Sequence, residues 1–275
     1  MNGEQALTSL GYSWRMVSGS FAGAIPPLCT VPEGPFLMGS DPRRDPQARA
    51  DEQPQHTGTL STYQIACYPV TVAEYALALA AGAAEVKAPV NWEHQRASPM
   101  CPVSALTWYD AWAYARWLSQ VTGRRWRLPT EVEWEKAARG TDGRIYPWGD
   151  NWETGRANGT WSGAAGAEGT TTTAVNAYPQ GASPYGLLDL VGNVAEWTST
   201  RYDGTPKHVA YPIPPARTTD VQEGATADTW AAMTRGGCWM FPPEHLRAAQ
   251  RDTFSTTDRF DWLIGVRLVC DAQER

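Results

Sequence analysis

Residues 183–197 read SPYGLLDLVGNVAEW, and this stretch decides how the rest of the chain is read. Two carboxylates, Asp189 and Glu196, flank a turn that contains Gly192. In such a turn the backbone carbonyls of Gly192 and Val194 can face the same way as the acids. The result is an all-oxygen set suited to a hard cation such as Ca2+, which takes about six to eight oxygens in flexible geometry. No Cys or His lies close by, so a soft metal is disfavoured. An alternative needs no ion: Asp189 caps a turn and Glu196 pairs with an arginine.

Outward from this turn, three helix starts are marked by Thr followed three residues later by an acid. They are Thr71 with Glu74, Thr107 with Asp110, and Thr130 with Glu133. Each side chain can satisfy the other's free backbone donor. Trp108, Ala111, Trp112, Ala115 and Leu118 then form an apolar stripe read as core. GPFLMGS (34–40) and YQIACYPV (63–70) read as strands bounded by glycine or proline. The charged segment between them, with Asp41, Arg43, Arg44, Asp45, Asp51 and Glu52, reads as an exposed excursion. Residues 1–30 read as a lead-in, and 31–275 as a single domain. Residues 146–186 are rich in turn formers, so something other than backbone ladders must pin them.

The composition sets limits. The chain has 275 residues, 42% hydrophobic and 19% charged, with 14 Trp, 25 Gly and 21 Pro. That is a globular chain in which long helices cannot dominate. A net charge of -6 without basic runs argues against nucleic acid as a partner. No window approaches about 18 apolar residues, so no membrane span is expected. The N-terminus lacks a leader, which predicts a cytoplasmic protein. Five cysteines at wide spacing, Cys29, Cys67, Cys101, Cys238 and Cys270, read as buried free thiols.

Several stretches in order carry a family likeness: GPFLMGS, PVSALTWYDAWAYARWLS, RWRLPTEVEWEKAARG, YPWGD, SPYGLLDLVGNVAEW, RGGCW and IGVRLV. They resemble the formylglycine-generating-enzyme-like (sulfatase-modifying-factor) domain. The resemblance implies an α+β, loop-rich C-type lectin fold with about three short helices and small antiparallel sheets. It also implies structural Ca2+ at Asp189, Gly192, Val194 and Glu196, and a second family site that would use Asn158. Formylglycine-generating enzymes bind copper through two cysteines just beyond the Gly-Gly motif. Here Phe241 stands in the place of the first, and no cysteine lies between Cys238 and Cys270. The related iron-dependent sulfoxide synthases need histidines from a helical partner domain. The four histidines here, His56, His94, His208 and His245, are not spaced as ligands on one helix face.

The segment after Gly236 and Gly237 then reads as a surface for contact rather than chemistry. A frame of Trp239, Pro243, Leu246, Arg247, Ala248, Ala249, Arg251, Arg259, Ile264, Gly265, Val266 and Arg267 looks like scaffold. Between these lie apolar anchors: Met240, Phe241, Pro242, Phe254, Phe260, Trp262 and Leu263. Polar groups accompany them: Glu244, His245, Gln250, Asp252, Thr253, Ser255, Asp258 and Asp261. Rigid rings with small adaptable polar groups make a good contact surface. The alternation is similar to that of variable proteins of diversity-generating retroelements, bacterial systems that mutate template adenines. Asn codons of the form AAY would then become NNY, which can encode all of these residues except Met240, Glu244, Gln250 and Trp262. The resemblance implies a non-catalytic protein that displays a variable region, 237–269, to an unknown protein or peptide. The alternative is an enzyme with non-copper chemistry built from Glu244, His245, Asp252 and Asp261. A second alternative is that part of the set, Phe254 and Trp262 above all, is core.

Overall fold

The computed structural model describes residues 3–17, 20–160, 172–202, 231–257 and 263–271. The chain opens with helix α1 (Gly3–Ser9) and strands β1 (Ser13–Val17), β2 (Ser20–Ile25), β3 (Leu28–Val31) and β4 (Gly34–Met38). Next come β5 (His56–Leu60), β6 (Tyr63–Ala66), α2 (Val72–Ala80), α3 (Trp92–Gln95), α4 (Trp108–Thr122), β7 (Trp126–Arg127) and α5 (Glu131–Arg139). The last elements are β8 (Ala195–Tyr202), β9 (Ala231–Arg235), β10 (Arg251–Ser255), β11 (Ile264–Val266) and β12 (Val269–Cys270).

All three expected caps are present. Thr71, Thr107 and Thr130 each accept from the backbone N–H three residues on, and the acid there bonds back. Loss of one such cap costs about 1 kcal/mol. The α4 stripe is core as expected, with Trp108, Ala111, Ala115 and Leu118 buried. Trp112 sits at its rim under the Arg116 guanidinium. Two indole bonds tie the start of α4 and the residues leading into it to β8: Trp108 Nε1 donates to Thr198 O at 2.8 Å, and Trp197 Nε1 donates to Leu106 O at 2.9 Å.

Two four-stranded sheets organise the molecule, in the orders β10-β9-β8-β11 and β3-β6-β12-β7. The first is not wholly antiparallel, because β11 runs parallel to β8 with Ile264 opposite Ala195. The lead-in is not separate from the domain. β3 pairs with β6, and Leu7, Leu10 and Tyr12 pack with Ala73 and Val175 in a small core.

Two expectations need correction. Cys29 and Cys67 are not free thiols but form a disulfide, with their Cα atoms 5.5 Å apart. Sequence spacing could not show this because β3 and the end of β6 become neighbours only in the sheet. Cys101, Cys238 and Cys270 are free, and the last two are buried. The excursion is also not wholly exposed: Asp45 and Glu52 are buried, for a reason that lies in the C-terminal segment.

Glu74 gives a pH prediction. One carboxylate oxygen, Oε2, accepts from Thr71 N at 2.7 Å, Thr71 Oγ1 at 3.0 Å and Tyr12 Oη at 2.6 Å. Burial pushes its carboxyl from 4.5 up to about 7, against those hydrogen bonds. A raised acid favours the protonated fold. Its contribution is complete below the unfolded value and is lost as pH rises through about 7. Glu74→Gln keeps an oxygen for all three donors and removes the titration. We expect its thermal stability to exceed that of the wild type above about pH 7 by on the order of 2–3 kcal/mol. The two should converge near pH 4.5. Equal pH profiles in thermal melts would refute this.

Candidate functional site

The 189–193 turn and the Gly236-Gly237 pair are built against each other. Gly192 N donates to Gly236 O at 2.9 Å, and Trp239 N donates to Asn193 O at 3.1 Å. Gly192 has φ 76°, and a Cβ there would stand 2.2 Å from Asn158 O, so only glycine fits. Asn193 is the hub of the turn. Its Oδ1 accepts from Asn158 Nδ2 and Thr173 N, and its Nδ2 donates to Thr173 O and to Asp189 Oδ2. One amide thus pins three loops.

The candidate metal residues lie in this region but are unequally free. Burial pushes the Asp189 carboxyl up to about 7, which the Asn193 amide and Arg267 oppose and Glu196 reinforces. It is a desolvated acid that a cation would suit. Glu196 is already committed: Oε1 accepts from Arg267 Nη2 at 2.8 Å, and Oε2 from Trp134 Nε1 at 2.6 Å. The arginine pairing is therefore present for Glu196, while Asp189 bonds to an amide. The residues fit a hard cation at Asp189 better than at Glu196. Among the described residues, no three His, Cys, Asp or Glu side chains converge to hold a metal.

Arg235, Arg247 and Arg267 of the C-terminal segment are buried and Arg251 is half-buried, and each is paired with a carboxylate. Arg235 donates to Glu131 Oε1 at 2.8 Å, Glu135 Oε2 at 2.6 Å and Ala248 O at 2.7 Å. Burial alone would raise Glu135, but Arg235 and Arg139 hold it down to about 2. Arg247 reaches across the fold to the charged excursion. It donates to Asp45 Oδ2 at 2.8 Å, Glu52 Oε1 at 2.6 Å and Gln250 Oε1 at 3.0 Å. This is why Asp45 and Glu52 are buried. Arg251 donates to Glu131 Oε2 at 2.9 Å and Asp51 O at 2.8 Å.

Between these fixed points the expected contact residues divide. Met240 is 48% exposed, and Glu244, His245 and Thr253 are exposed too. Phe241, Pro242, Asp252, Phe254, Ser255 and Leu263 are half-buried. Phe241 rests on the core rim with its ring edge-on to His245. Phe254 and Leu263 pack on the main core, and Phe254 meets Trp197 edge to face. Part of the set thus supports the surface from below. Gln250 is a correction: it is 1% exposed, because its amide is a partner of Arg247 and not a surface group. Asp258, Phe260, Asp261 and Trp262 lie outside the described residues, as does Arg259 of the frame. Burial also pushes the Cys238 thiol up to about 11, which leaves it unreactive.

Sequence reading missed one feature. A groove of about 370 Å³ runs beside β10, lined by Arg49, Asp51, Tyr202, Met233 and Arg251 together with Asp252, Thr253 and Phe254. Its walls come from segments far apart in the chain, and no local spacing announces it.

Comparison with known proteins bears on all of this. The chain is 30% identical over 273 residues to hercynine oxygenase of Mycolicibacterium smegmatis, a match covering 88% of this chain and 60% of that protein. It therefore spans less than two thirds of that relative's length. In structure it resembles PvdO from Pseudomonas aeruginosa, with a TM-score of 0.73 and 25% identity over 90% of this chain and 95% of that one. It also shares its fold with Treponema denticola variable protein 1, with a TM-score of 0.66 and 20% identity over 95% and 99% of the two chains. None of the helices among the described residues is long and apolar enough to cross a membrane. Residues 17–272 match the sulfatase-modifying factor enzyme 1-like domain, and the chain belongs to that family.

Proposed function

We propose that the chain is a non-catalytic ligand-binding protein that displays a changeable surface on a C-type lectin scaffold, in the manner of retroelement variable proteins. One observation carries the reading. Within residues 235–255 the groups that hold the segment, Arg235, Arg247, Ala248 and Ala249, are buried, whereas Met240, Glu244, His245 and Thr253 between them are exposed. Identity can change at the second set without breaking a bond made by the first. The partner would be a protein or peptide, held by Met240 and Phe241 as apolar anchors.

The experiment replaces the exposed Met240, Glu244, His245 and Thr253 together with alanine. Exposed positions of this kind change stability by only about 0.5 kcal/mol each. We expect a folded protein that no longer binds a partner captured by the wild type. Unfolding would refute the placement. A genomic check is independent: a reverse-transcriptase gene nearby, with a near-copy of the coding segment for residues 237–269 that differs at adenines.

Calcium at the Asp189 turn belongs to the same reading, with the Gly192 and Val194 carbonyls as further donors. The ion would neutralise a buried acid and stiffen the loop under Gly236. Calcium should raise the melting temperature of the wild type and leave Asp189→Asn unmoved. A second reading, an enzyme, is favoured by the likeness to hercynine oxygenase. Its candidates Glu244 and His245 are exposed and Asp252 is half-buried in the groove. Hercynine-dependent oxygen uptake that His245→Ala abolishes would establish it.

A further inference from the structure

The groove beside β10 is lined by two guanidiniums, Arg49 and Arg251, and two carboxylates, Asp51 and Asp252, and the pairing among them is unequal. Arg251 is consumed by Glu131 and the Asp51 carbonyl. That leaves Arg49 facing two carboxylates, Asp51 at 3.3 Å and Asp252 at 3.6 Å. These contacts are long beside the 2.8 Å of Arg235 to Glu131 or Arg247 to Asp45. The Arg49 side chain is 46% exposed, so it is loosely held and free to swing away. Beside Arg49, Asp252 accepts among the described residues only a long bond from Gln250 Nε2 at 3.4 Å, and burial raises its carboxyl against both. Tyr202, Met233 and Phe254 give the groove apolar walls, and Tyr202 is 36% exposed.

We propose that this groove binds an organic cation, an amine or guanidinium on an apolar stem, and that Arg49 is the internal competitor for the same carboxylates. The charge distribution argues against an anion, since each guanidinium in the groove already faces carboxylate. A bare metal ion would want more oxygens than two carboxylates among apolar walls supply. An organic cation replaces two long contacts by short charge-assisted ones and lays its stem or charge against the Tyr202 ring. This rests on the surface reading above, because Asp252, Thr253 and Phe254 are among its contact residues. On that reading a Lys or Arg side chain of the partner is the group that enters.

The test uses n-pentylguanidinium as probe, with pentan-1-ol and pentanoate as neutral and anionic controls, in calorimetric titrations of the whole chain. Pentylguanidinium should bind saturably and the controls should not. Asp252→Asn should weaken it about tenfold, as loss of a charged hydrogen-bond partner does. Arg49→Gln should tighten it by roughly threefold, the worth of a loose surface pair. Thermal melts of both variants check that they fold. No binding, preference for pentanoate, an unchanged Asp252→Asn, or weaker binding by Arg49→Gln would each overturn the proposal. The probe does not need Met240 or His245. Intact probe binding with no loss of partner on the alanine replacements would sink the surface reading alone.

Discussion

Replacing Arg267 with methionine will cost about 3–5 kcal/mol, enough to lower the melting temperature by on the order of 10 °C or to prevent folding. Both partners of the Arg267–Glu196 pair are fully buried, and the guanidinium also donates to Ala66 O and Leu188 O. Methionine fills the volume but leaves the Glu196 carboxylate with Trp134 Nε1 and no cation. The penalty is that of a charge stranded in the interior. The control is Arg267→Met with Glu196→Gln, which removes the stranded charge and should recover a large part of the loss. Thermal or urea unfolding reads both. A single variant as stable as the wild type would show that Glu196 is not charged there, or that it has found another cation.

The second large effect is expected at Arg247. Arg247→Met leaves Asp45 and Glu52 as two neighbouring buried carboxylates and cuts the segment 244–250 loose from the charged excursion. We expect a loss of about 3–5 kcal/mol. Binding by the Met240–His245 surface should also fall, although no atom of that surface has changed. Here the cycle with Glu52→Gln distinguishes a coupled pair from a mere packing role. An interaction energy of about 0.5–3 kcal/mol is expected for residues in one network. Additive losses would deny the coupling.

The parts of the fold legible in sequence were those written in local spacing. Thr71, Thr107 and Thr130 each bond an acid three residues on, and such a partner is visible without a structure. The Trp108 stripe follows the helical period for the same reason. The motifs of the family gave the scaffold. What escaped was pairing over distance. Arg247 and Glu52 lie 195 positions apart, so the excursion read as solvent-exposed although it buries two acids. Cys29 and Cys67 meet only because β3 pairs with β6. At the candidate site, frame and insert were separable at Met240, Glu244 and His245. They were not at Gln250, whose short polar side chain looks like a surface residue until Arg247 is seen to need it.

The order β10-β9-β8-β11 has a consequence for how such a protein can evolve. The chain leaves one edge of β8 through β9, which ends at Arg235, and returns to the opposite edge as β11, beginning at Ile264. Departure and arrival are therefore neighbours of the same central ribbon, whatever route is taken in between. Added residues near Thr257 would lengthen the excursion without shifting either anchorage. The entropic charge is small: doubling a closed loop costs about 0.6 kcal/mol. Length, and not only side-chain identity, is thus open to natural variation at this end of the molecule.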